Sequence, residues 1–550
     1  MTTDPADRAV MAEAASAIAG RSPDIARLDA VLAKLPRPTP LRGMVQTVRA
    51  GVLASAQATG PAVAAIEEAL RLLPDDPRPK LVATGIYTFS GSPQRAADLL
   101  LQASRLAPEM TRHFDRYVVM ALTGRLTEIG DRSRADRLNA RLGEIGFSSG
   151  LAPERSTAAL SRTREAMRMS PGASTDEAAN LVTTIGDPDD LLTLYIDRRY
   201  TPLWPRIAEW AGADLAAQSR RYLDELRGDW AAAADFDTAT PYARRLSRLE
   251  AYPAVLGLFL PMFDGIGTRA AVPVEARAAG APRGEGVFLA PIVARALAHQ
   301  GRYDEARALL ARVATTVPPD DQGNGLNLDG AYLQLAAMET DWPQVLTRAD
   351  VFLDRAKRYG SNVNRASVLL VKAWQACALT RTGQSAAAEP VTADVLLDEA
   401  LVPGAAMQMY VCRGDQAAAR ALVIRRLADE TTRDWALRYV QPTGSATTTP
   451  LDRLTDPVDG AVRTAPDVVA AATRVGRILP NPVSVGLPQE FDPFRLQPRT
   501  TPLDANAVWA AATPIDLSRR TASLAPAPNR SARRIPTRQA RRRSPARRVR

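Results

Sequence analysis

The chain has only two histidines, His113 and His299, with which to build a catalytic or metal site. Histidine acts as a general base or a metal ligand only when partner residues lie at set spacings. Neither residue lies in an HExxH motif or beside a nucleophile motif, and no Walker A sequence or GxGxxG follows a strand-like run. The sequence therefore predicts a protein that is not an enzyme and needs no cofactor.

The stretch PPDDQGNGLNLDG spaces Asp320, Gln322 and Asn324 like the oxygen ligands of a calcium loop. The twelfth position of that loop would be Ala331, where the site needs a bidentate glutamate. The two cysteines, at 377 and 412, lack metal-ligand spacing and are too few for a disulfide framework. We expect no metal site and interpret both cysteines as small buried helix residues.

The C-terminal end is strongly basic. No acidic residue follows Asp516, and twelve arginines lie beyond it. The formal net charge of the chain is +10, so the residues before this segment carry a net charge of about −2. Such a segment can neutralise phosphates and bind nucleic acid or another anionic surface without sequence preference. The alternative is a solubilising extension without a ligand. The candidate anion-binding residues are Arg533, Arg534, Arg541, Arg542, Arg543, Arg547 and Arg548.

A mixed cationic and aromatic cluster occurs in IDRRYTPLWPRIAEWAG, which contains Arg198, Arg199, Tyr200, Trp204 and Trp210. These groups could stack on a ligand or clamp an anion. We prefer a structural interpretation, in which the tryptophans fill gaps between neighbouring helices and the arginines face water. The same interpretation applies to three residues downstream, Arg221, Tyr222 and Trp230.

The elements that position these residues are predicted to be helices. Hydrophobic residues make up 46% of the chain but aromatic residues only 5%, and abundant alanine favours closely packed helices over strands. In HQGRYDEARALLARVATTVP, small and apolar residues follow Gly301 at helical spacing, and another apolar-periodic segment ends at that glycine. The pattern predicts a helix, a tight turn and a second helix.

The same spacing recurs along the chain, with alanine five residues and proline seventeen residues after a glycine. The three units are Gly60 with Ala65 and Pro77, Gly91 with Ala96 and Pro108, and Gly301 with Ala306 and Pro318. These units resemble the tetratricopeptide repeat, a helical hairpin with small residues at the hairpin contact and a terminal proline. The resemblance extends from about residue 45 to about residue 430, although the family's usual first-helix tryptophan, glycine and tyrosine are mostly missing.

The resemblance implies an all-α protein in which the hairpins stack as an α-solenoid, because one hairpin alone would expose its apolar face. It also implies a concave surface, lined by the first helix of each hairpin, that holds an extended peptide or a partner helix. The positions that match this inner surface are Phe288, Arg295, His299, Asn327 and Gln334.

Glycine and proline divide the chain into five parts. We expect an N-terminal repeat block over 1–264, a linker over 265–286, a C-terminal repeat block over 287–440, a proline-rich segment over 441–516 and a basic disordered tail over 517–550. One helix, at about 466–479, is expected to survive in the proline-rich segment and to dock on the last repeat.

Three classes of function follow from these observations. The leading hypothesis is a cytoplasmic, non-enzymatic scaffold or adaptor that binds another protein on its concave face. The second is a nucleic-acid or anionic-surface binder that acts through the arginine tail. The third is an enzyme with an unrecognised site in the groove. No segment has the length and hydrophobicity of a membrane span.

Overall fold

The structure is a computed structural model that describes most of the chain before residue 496. The described ranges are 5–18, 24–56, 58–147, 151–169, 175–264, 286–317, 322–360, 363–444, 446–481 and 486–495. The basic tail with its seven candidate arginines, and all of the predicted linker except Gly286, lie outside these ranges.

The described residues form an all-α structure without strands, which confirms the predicted fold class at that level. The helices before residue 265 are α1 (Pro5–Ile18), α2 (Ile25–Ala33), α3 (Pro40–Ser55), α4 (Thr59–Leu72), α5 (Pro77–Phe89), α6 (Pro93–Leu106), α7 (Pro108–Arg112), α8 (Arg116–Glu128), α9 (Arg132–Glu144), α10 (Ala152–Met169), α11 (Thr175–Val182), α12 (Pro188–Ile196), α13 (Trp204–Ala211), α14 (Ala216–Ala233), α15 (Phe236–Arg248) and α16 (Tyr252–Phe259), with 3₁₀ turns at Arg198–Leu203 and Leu260–Phe263.

Eleven further helices follow residue 286 in the described part of the chain. They are α17 (Ala290–His299), α18 (Tyr303–Ala314), α19 (Gln322–Met338), α20 (Trp342–Tyr359), α21 (Arg365–Arg381), α22 (Ser385–Leu397), α23 (Pro403–Arg413), α24 (Gln416–Ala428), α25 (Arg433–Tyr439), α26 (Pro450–Arg463) and α27 (Pro466–Val475). Since α19 begins at Gln322, the stretch considered as a calcium loop is helical from there onward.

Consecutive helices pack as adjacent pairs, such as α3 with α4, α5 with α6, α19 with α20 and α21 with α22. The turn between α17 and α18 contains Gly301 at φ 73°, a left-handed conformation that favours glycine. Ala306, five residues later, is fully buried on α18. Gly60 differs, because it is the second residue of α4 and does not lie in a turn of positive φ.

The apolar cores run across the boundary between the two predicted repeat blocks. Phe263 and Val287, on either side of the linker, belong to one buried cluster. Another buried cluster combines residues from 159–215 with residues from 369–479. The backbone N–H of Arg477 donates to the carbonyl oxygen of Ile196 at 2.9 Å, beside a bridge between Asp197 and Gly476. The last helices therefore pack against the middle of the chain.

The described residues between 441 and 495 contain two helices, whereas one was predicted for the proline-rich segment. The expected helix near 466 corresponds to α27, which packs against α24. The additional helix, α26, was missed because Pro450 and Pro457 were interpreted as helix breakers. Pro450 is tolerated as the first helical residue after the N-cap Thr449, and Pro457 lies inside the helix.

Candidate functional site

The predicted inner-surface residues lie on the helices that come first in two neighbouring pairs. Phe288 precedes α17, Arg295 and His299 lie on α17, and Asn327 and Gln334 lie on α19. The helices α17 and α19 contact each other. We refer to the surface formed by α17, α19, α21 and α23 as the first-helix face.

Most of the predicted residues on this face are accessible. Phe288 is 44% exposed, and Arg295 and Asn327 are exposed as well. The Asn327 side chain donates to the carbonyl oxygen of Asn324 at 3.1 Å, so it is partly occupied within its own helix. Gln334 is half-buried. This part of the face therefore offers an exposed apolar side chain, Phe288, and an exposed cation, Arg295.

His299, the last residue of α17, is occupied by contacts within the chain. Its ring stacks on Tyr252 with centroids 4.2 Å apart. Arg295 Nε donates to His299 Nε2 at 3.5 Å, and His299 Nδ1 lies 2.6 Å from Thr448 Oγ1. Burial and the neighbouring Arg295 lower the pKa of His299 to about 4. The imidazole is therefore neutral near pH 7, with its Nδ1 proton donated to Thr448.

Thr448 belongs to an extended stretch that covers this end of the face. The backbone N–H of Ala446 donates to Glu250 Oε2 at 3.0 Å, and Thr447 Oγ1 donates to Asp456 Oδ2 at 2.6 Å. Thr448 Oγ1 donates in turn to Asp452 Oδ2 at 3.3 Å. We call residues 446–463, which comprise this stretch and α26, the covering segment.

A capping box fixes the start of α26. The backbone N–H of Asp452 donates to Thr449 Oγ1 at 3.1 Å, and the backbone N–H of Thr449 donates to Asp452 Oδ2 at 2.8 Å. These reciprocal bonds satisfy groups that would otherwise lack partners at a helix N-terminus. The helix consequently begins one residue after Thr449, close to His299.

An apolar stripe holds α26 against the first-helix face. Leu451, Val458 and Val462 recur at spacings of seven and four residues, which places them on one side of a helix. Leu451 joins an apolar cluster built from four small buried residues, Ala336, Ala337, Val345 and Ala378. Val458 and Val462 join the cluster that includes α23 and α24. The helix contacts α19 and α23, which belong to the face, and also α24, the second helix of its pair.

Polar contacts secure the C-terminal end of α26. The Tyr439 hydroxyl donates to Asp459, and Arg463 Nε donates to the same carboxylate at 2.8 Å. The Arg463 guanidinium lies 4.3 Å from the Tyr439 ring centroid and also donates to the carbonyl oxygen of Gln441 at 3.2 Å. Burial and the nearby Asp459 carboxylate raise the pKa of Tyr439. These contacts attach the C-terminal end of α26 to residues 439–441.

Arg199 is exposed, as expected, and also joins an ion cluster around Asp434. Its guanidinium lies 2.6 Å from Asp197 and 3.2 Å from Asp434. Arg132 and Arg164 bind the same Asp434 carboxylate at 2.9 and 3.0 Å. The contact between Arg199 and Asp434 was not predicted, because the two residues lie 235 positions apart in the chain.

The tryptophans of that segment pack against arginines of the chain itself. The Arg477 guanidinium lies 3.6 Å from the Tyr195 ring centroid and 4.1 Å from that of Trp204. Arg221 lies 4.1 Å from the ring centroid of Trp210. These contacts agree with a structural role for both tryptophans.

A cavity of about 220 Å³ lies away from the predicted residues. Ser156 lines it and donates through Oγ to Asp190 Oδ2 at 2.7 Å. Burial and the neighbouring Asp187 raise the pKa of Asp190 to about 6. In the part of the chain that the structure describes, no group of three or more histidine, cysteine or acidic residues could hold a metal ion.

Cys377 and Cys412 are both fully buried on helices, as predicted, but they also bond to each other. Their disulfide links α21 to α23, with the Cα atoms 6.0 Å apart. The pairing was not predicted, because only the packing of α21 against α23 brings together residues 35 positions apart.

None of the helices in the described ranges is long and apolar enough to cross a membrane. The chain matches no known protein family. A comparison with curated proteins likewise found no significant relative.

Proposed function

We propose that the chain is a non-enzymatic adaptor, that its helix pairs form a tetratricopeptide-like solenoid, and that the first-helix face binds a helix of a partner protein. The observation that supports this proposal is α26 itself, an amphipathic helix that packs on α19 and α23 of the face and on the neighbouring α24. A surface that accepts one amphipathic helix has the shape and apolar floor that a second one needs.

The uncovered part of the face supplies further contacts. Phe288 is an accessible apolar anchor, and exposed Arg295 offers a cation to an acidic group of the partner. Aromatic side chains and arginine are the residue types that contribute most to binding at protein interfaces. Arg295 lies at the α17 end of the face, where His299 connects it to Thr448 of the covering segment, and Phe288 precedes α17.

The proposal is tested by capture from native lysate with the full chain and a Phe288→Ala, Arg295→Ala variant. Leu397→Ala is the matched control, because Leu397 is 80% exposed at the end of α22, a second helix of its pair. The expected result is a defined protein that the wild type and the control retain and that the face variant loses. Equal retention by all three chains contradicts the proposal.

A second candidate function is binding of nucleic acid or an anionic surface through the arginine tail, supported by the absence of acidic residues after Asp516. Replacement of the seven candidate arginines by glutamine in the full chain tests it. Loss of captured material in that variant, together with its release by nuclease or moderate salt, would favour this candidate over the adaptor.

The disulfide bears on where the adaptor would act. Disulfides persist in oxidising compartments and are rare in the reducing cytosol. The Cys377–Cys412 bond therefore favours an oxidising compartment over the cytoplasmic location expected from the sequence.

A further inference from the structure

We infer that a helix of the partner replaces α26 on the first-helix face. The covering segment is then an intramolecular competitor of the partner, and its sequence shows which kind of helix the face accepts. This inference rests on the proposed function, because it specifies the partner class for the same surface. Four observations support it.

The apolar contact between α26 and the face is shallow, although polar contacts of Asp459 and Arg463 also hold the C-terminal end of the helix. Only Val462, of the 14 residues of α26, is buried, and Leu451 and Val458 remain half-buried. A fully buried core residue contributes much more to stability than a half-buried one, since the stabilisation grows with the apolar area removed from water. Release of α26 therefore exposes little apolar surface of the helix itself.

The helix has little stability of its own. Isolated helices of this length are marginal in water, and Pro457 in the interior removes one backbone hydrogen bond. The covering segment keeps its helical form because it is docked. When a partner takes its place, the segment loses its supporting surface and no strong internal structure resists the exchange.

The surface under α26 is shaped for a leucine anchor. The small residues Ala336, Ala337 and Ala378 form a floor around Leu451, and half-buried Trp342 and Trp374 adjoin the same cluster. Alanines leave room for a branched side chain, and tryptophans supply broad apolar walls. Since these residues are carried by α19, α20 and α21, the floor remains when the covering segment leaves.

Charge at the α17 end favours an acidic first turn. Asp452, in the first turn of α26, accepts the Thr448 hydroxyl that contacts His299, and His299 accepts from Arg295. Arg295 remains exposed there, so a carboxylate at the start of a bound helix lies near a cation.

The partner is therefore expected to present an amphipathic helix of the α26 type. Its features are a serine or threonine N-cap, an acidic residue three positions later, and apolar residues at the spacing of Leu451, Val458 and Val462. A labelled peptide with the sequence ATTTPLDRLTDPVDGAVRT, which is residues 446–464, serves as the probe.

The experiment compares peptide binding by three full-length chains. The double variant Leu451→Asp, Val458→Asp weakens the docking of the covering segment. The single variant Pro457→Ala removes the interior proline and stabilises α26. We expect the first variant to bind the peptide at least about tenfold more tightly than the wild type, and Pro457→Ala to bind it more weakly. A peptide carrying aspartate at the position of Leu451 is the control and is expected not to bind.

Two results would overturn the inference. One is equal peptide affinity for the wild type, the weakened variant and Pro457→Ala, since a competitor must change the apparent affinity. The other is no peptide binding by a weakened variant whose circular dichroism matches that of the wild type. If the double variant unfolds, the comparison of Pro457→Ala with the wild type decides the question. A peptide affinity of Pro457→Ala equal to that of the wild type would then contradict the replacement of α26 by a partner helix.

The failure of the inference is distinguishable from the failure of the proposed function. If lysate capture depends on Phe288 and Arg295 while the peptide results show no exchange, the adaptor stands and the competitor fails. If the peptide exchanges while capture is insensitive to Phe288 and Arg295, the covering segment is displaceable and the adaptor proposal fails.

Discussion

His299 Nδ1 lies 2.6 Å from Thr448 Oγ1, and this contact joins the end of α17 to a stretch of chain 149 residues away. The hydrogen bonds continue from Arg295 through His299 and Thr448 to Asp452. Because the neutral imidazole accepts from Arg295 and donates to Thr448, the network depends on the protonation state of His299. The attachment of the covering segment is therefore expected to depend on pH.

Acidification is expected to loosen residues 446–449. The pKa of His299 is lowered to about 4 from its ordinary value of 6.5, so a state in which His299 is exposed to water binds a proton that the docked state excludes. The docked arrangement is most stable above pH 6.5 and loses stability as the pH falls toward 4. Hydrogen exchange of Thr448 and Thr449 amides, compared with those of α21 between pH 7.5 and 4.5 after correction for intrinsic exchange, measures this effect.

The control for the pH effect is His299→Phe, which keeps an aromatic ring against Tyr252 but cannot titrate. Glu250, Asp452, Arg295 and Tyr252 also face this site, and each remains in the control. A pH dependence of equal size in His299→Phe would assign the effect to those groups instead of the histidine.

The spacing of small residues made the helix pairs predictable. Glycine at the turn and alanine five residues later identified the α17–α18 pair, because a left-handed turn and a close helix contact each demand a particular residue type. The covering segment was missed because its two prolines were interpreted without the capping box at Thr449 and Asp452. A T-P-x-D signal at 449–452 was present in the sequence and indicates a helix start.

Ala306→Phe is expected to destabilise the protein by about 1–3 kcal/mol or more, because a phenyl ring overpacks a fully buried contact. The midpoint of urea unfolding measures the change. Ala311→Phe is the matched control, since Ala311 lies on the same helix, α18, and is exposed. Equal midpoints for the two variants would contradict the assignment of Ala306 to the helix contact.

The disulfide predicts that the purified, non-reduced protein contains no free thiol after denaturation, and two after reduction, because the chain has only two cysteines. A thiol-reactive dye measures both states. Reduction is expected to cost about 2–4 kcal/mol in the free energy of unfolding. The Cys377→Ser, Cys412→Ser variant is expected to be insensitive to reductant. Two reactive thiols in the non-reduced protein would show that the pair is not bonded.

Asp190→Asn is expected to stabilise the protein at pH 8 and to have little effect at pH 4.5. Burial and Asp187 raise the pKa of Asp190 to about 6, so the folded state keeps a proton that the unfolded state loses between about pH 4 and pH 6. Above pH 6 the buried carboxylate is ionised at a cost that asparagine avoids, while asparagine still accepts from Ser156.

Thermal unfolding at the two pH values tests this prediction for Asp190. Asp176→Asn, at an exposed position of α11, is the control and is expected to change the melting temperature little at either pH. A lower melting temperature of Asp190→Asn at pH 8 would show that the ionised carboxylate stabilises the fold through its neighbouring arginines.

The contacts that could not be predicted from the sequence are those between charged groups far apart in the chain. Arg132, Arg164 and Arg199 converge on Asp434 only because α9, α10 and the 3₁₀ turn after α12 pack near α25. Nothing in the local spacing of an arginine shows whether it will meet water or a distant carboxylate. Hydrophobic periodicity identifies which face of a helix is buried, but it does not identify the helix that covers that face.

Asp434→Ala tests how much this ion cluster contributes. The Asp434 side chain is 13% exposed, and its removal leaves the partly buried Arg164 without one of its two carboxylate partners. Breaking a buried pair by removing one partner costs about 3–5 kcal/mol, because the remaining charge is buried without compensation.

The control is Asp354→Ala. The Asp354 side chain is 70% exposed and pairs with Lys357 at the surface, so its removal is expected to cost less than about 1 kcal/mol. Chemical denaturation of both variants measures the difference. Equal losses in the free energy of unfolding would show that water replaces the carboxylate as the partner of the arginines. The expected larger loss in Asp434→Ala would show that this carboxylate helps to attach α25 to the middle of the chain.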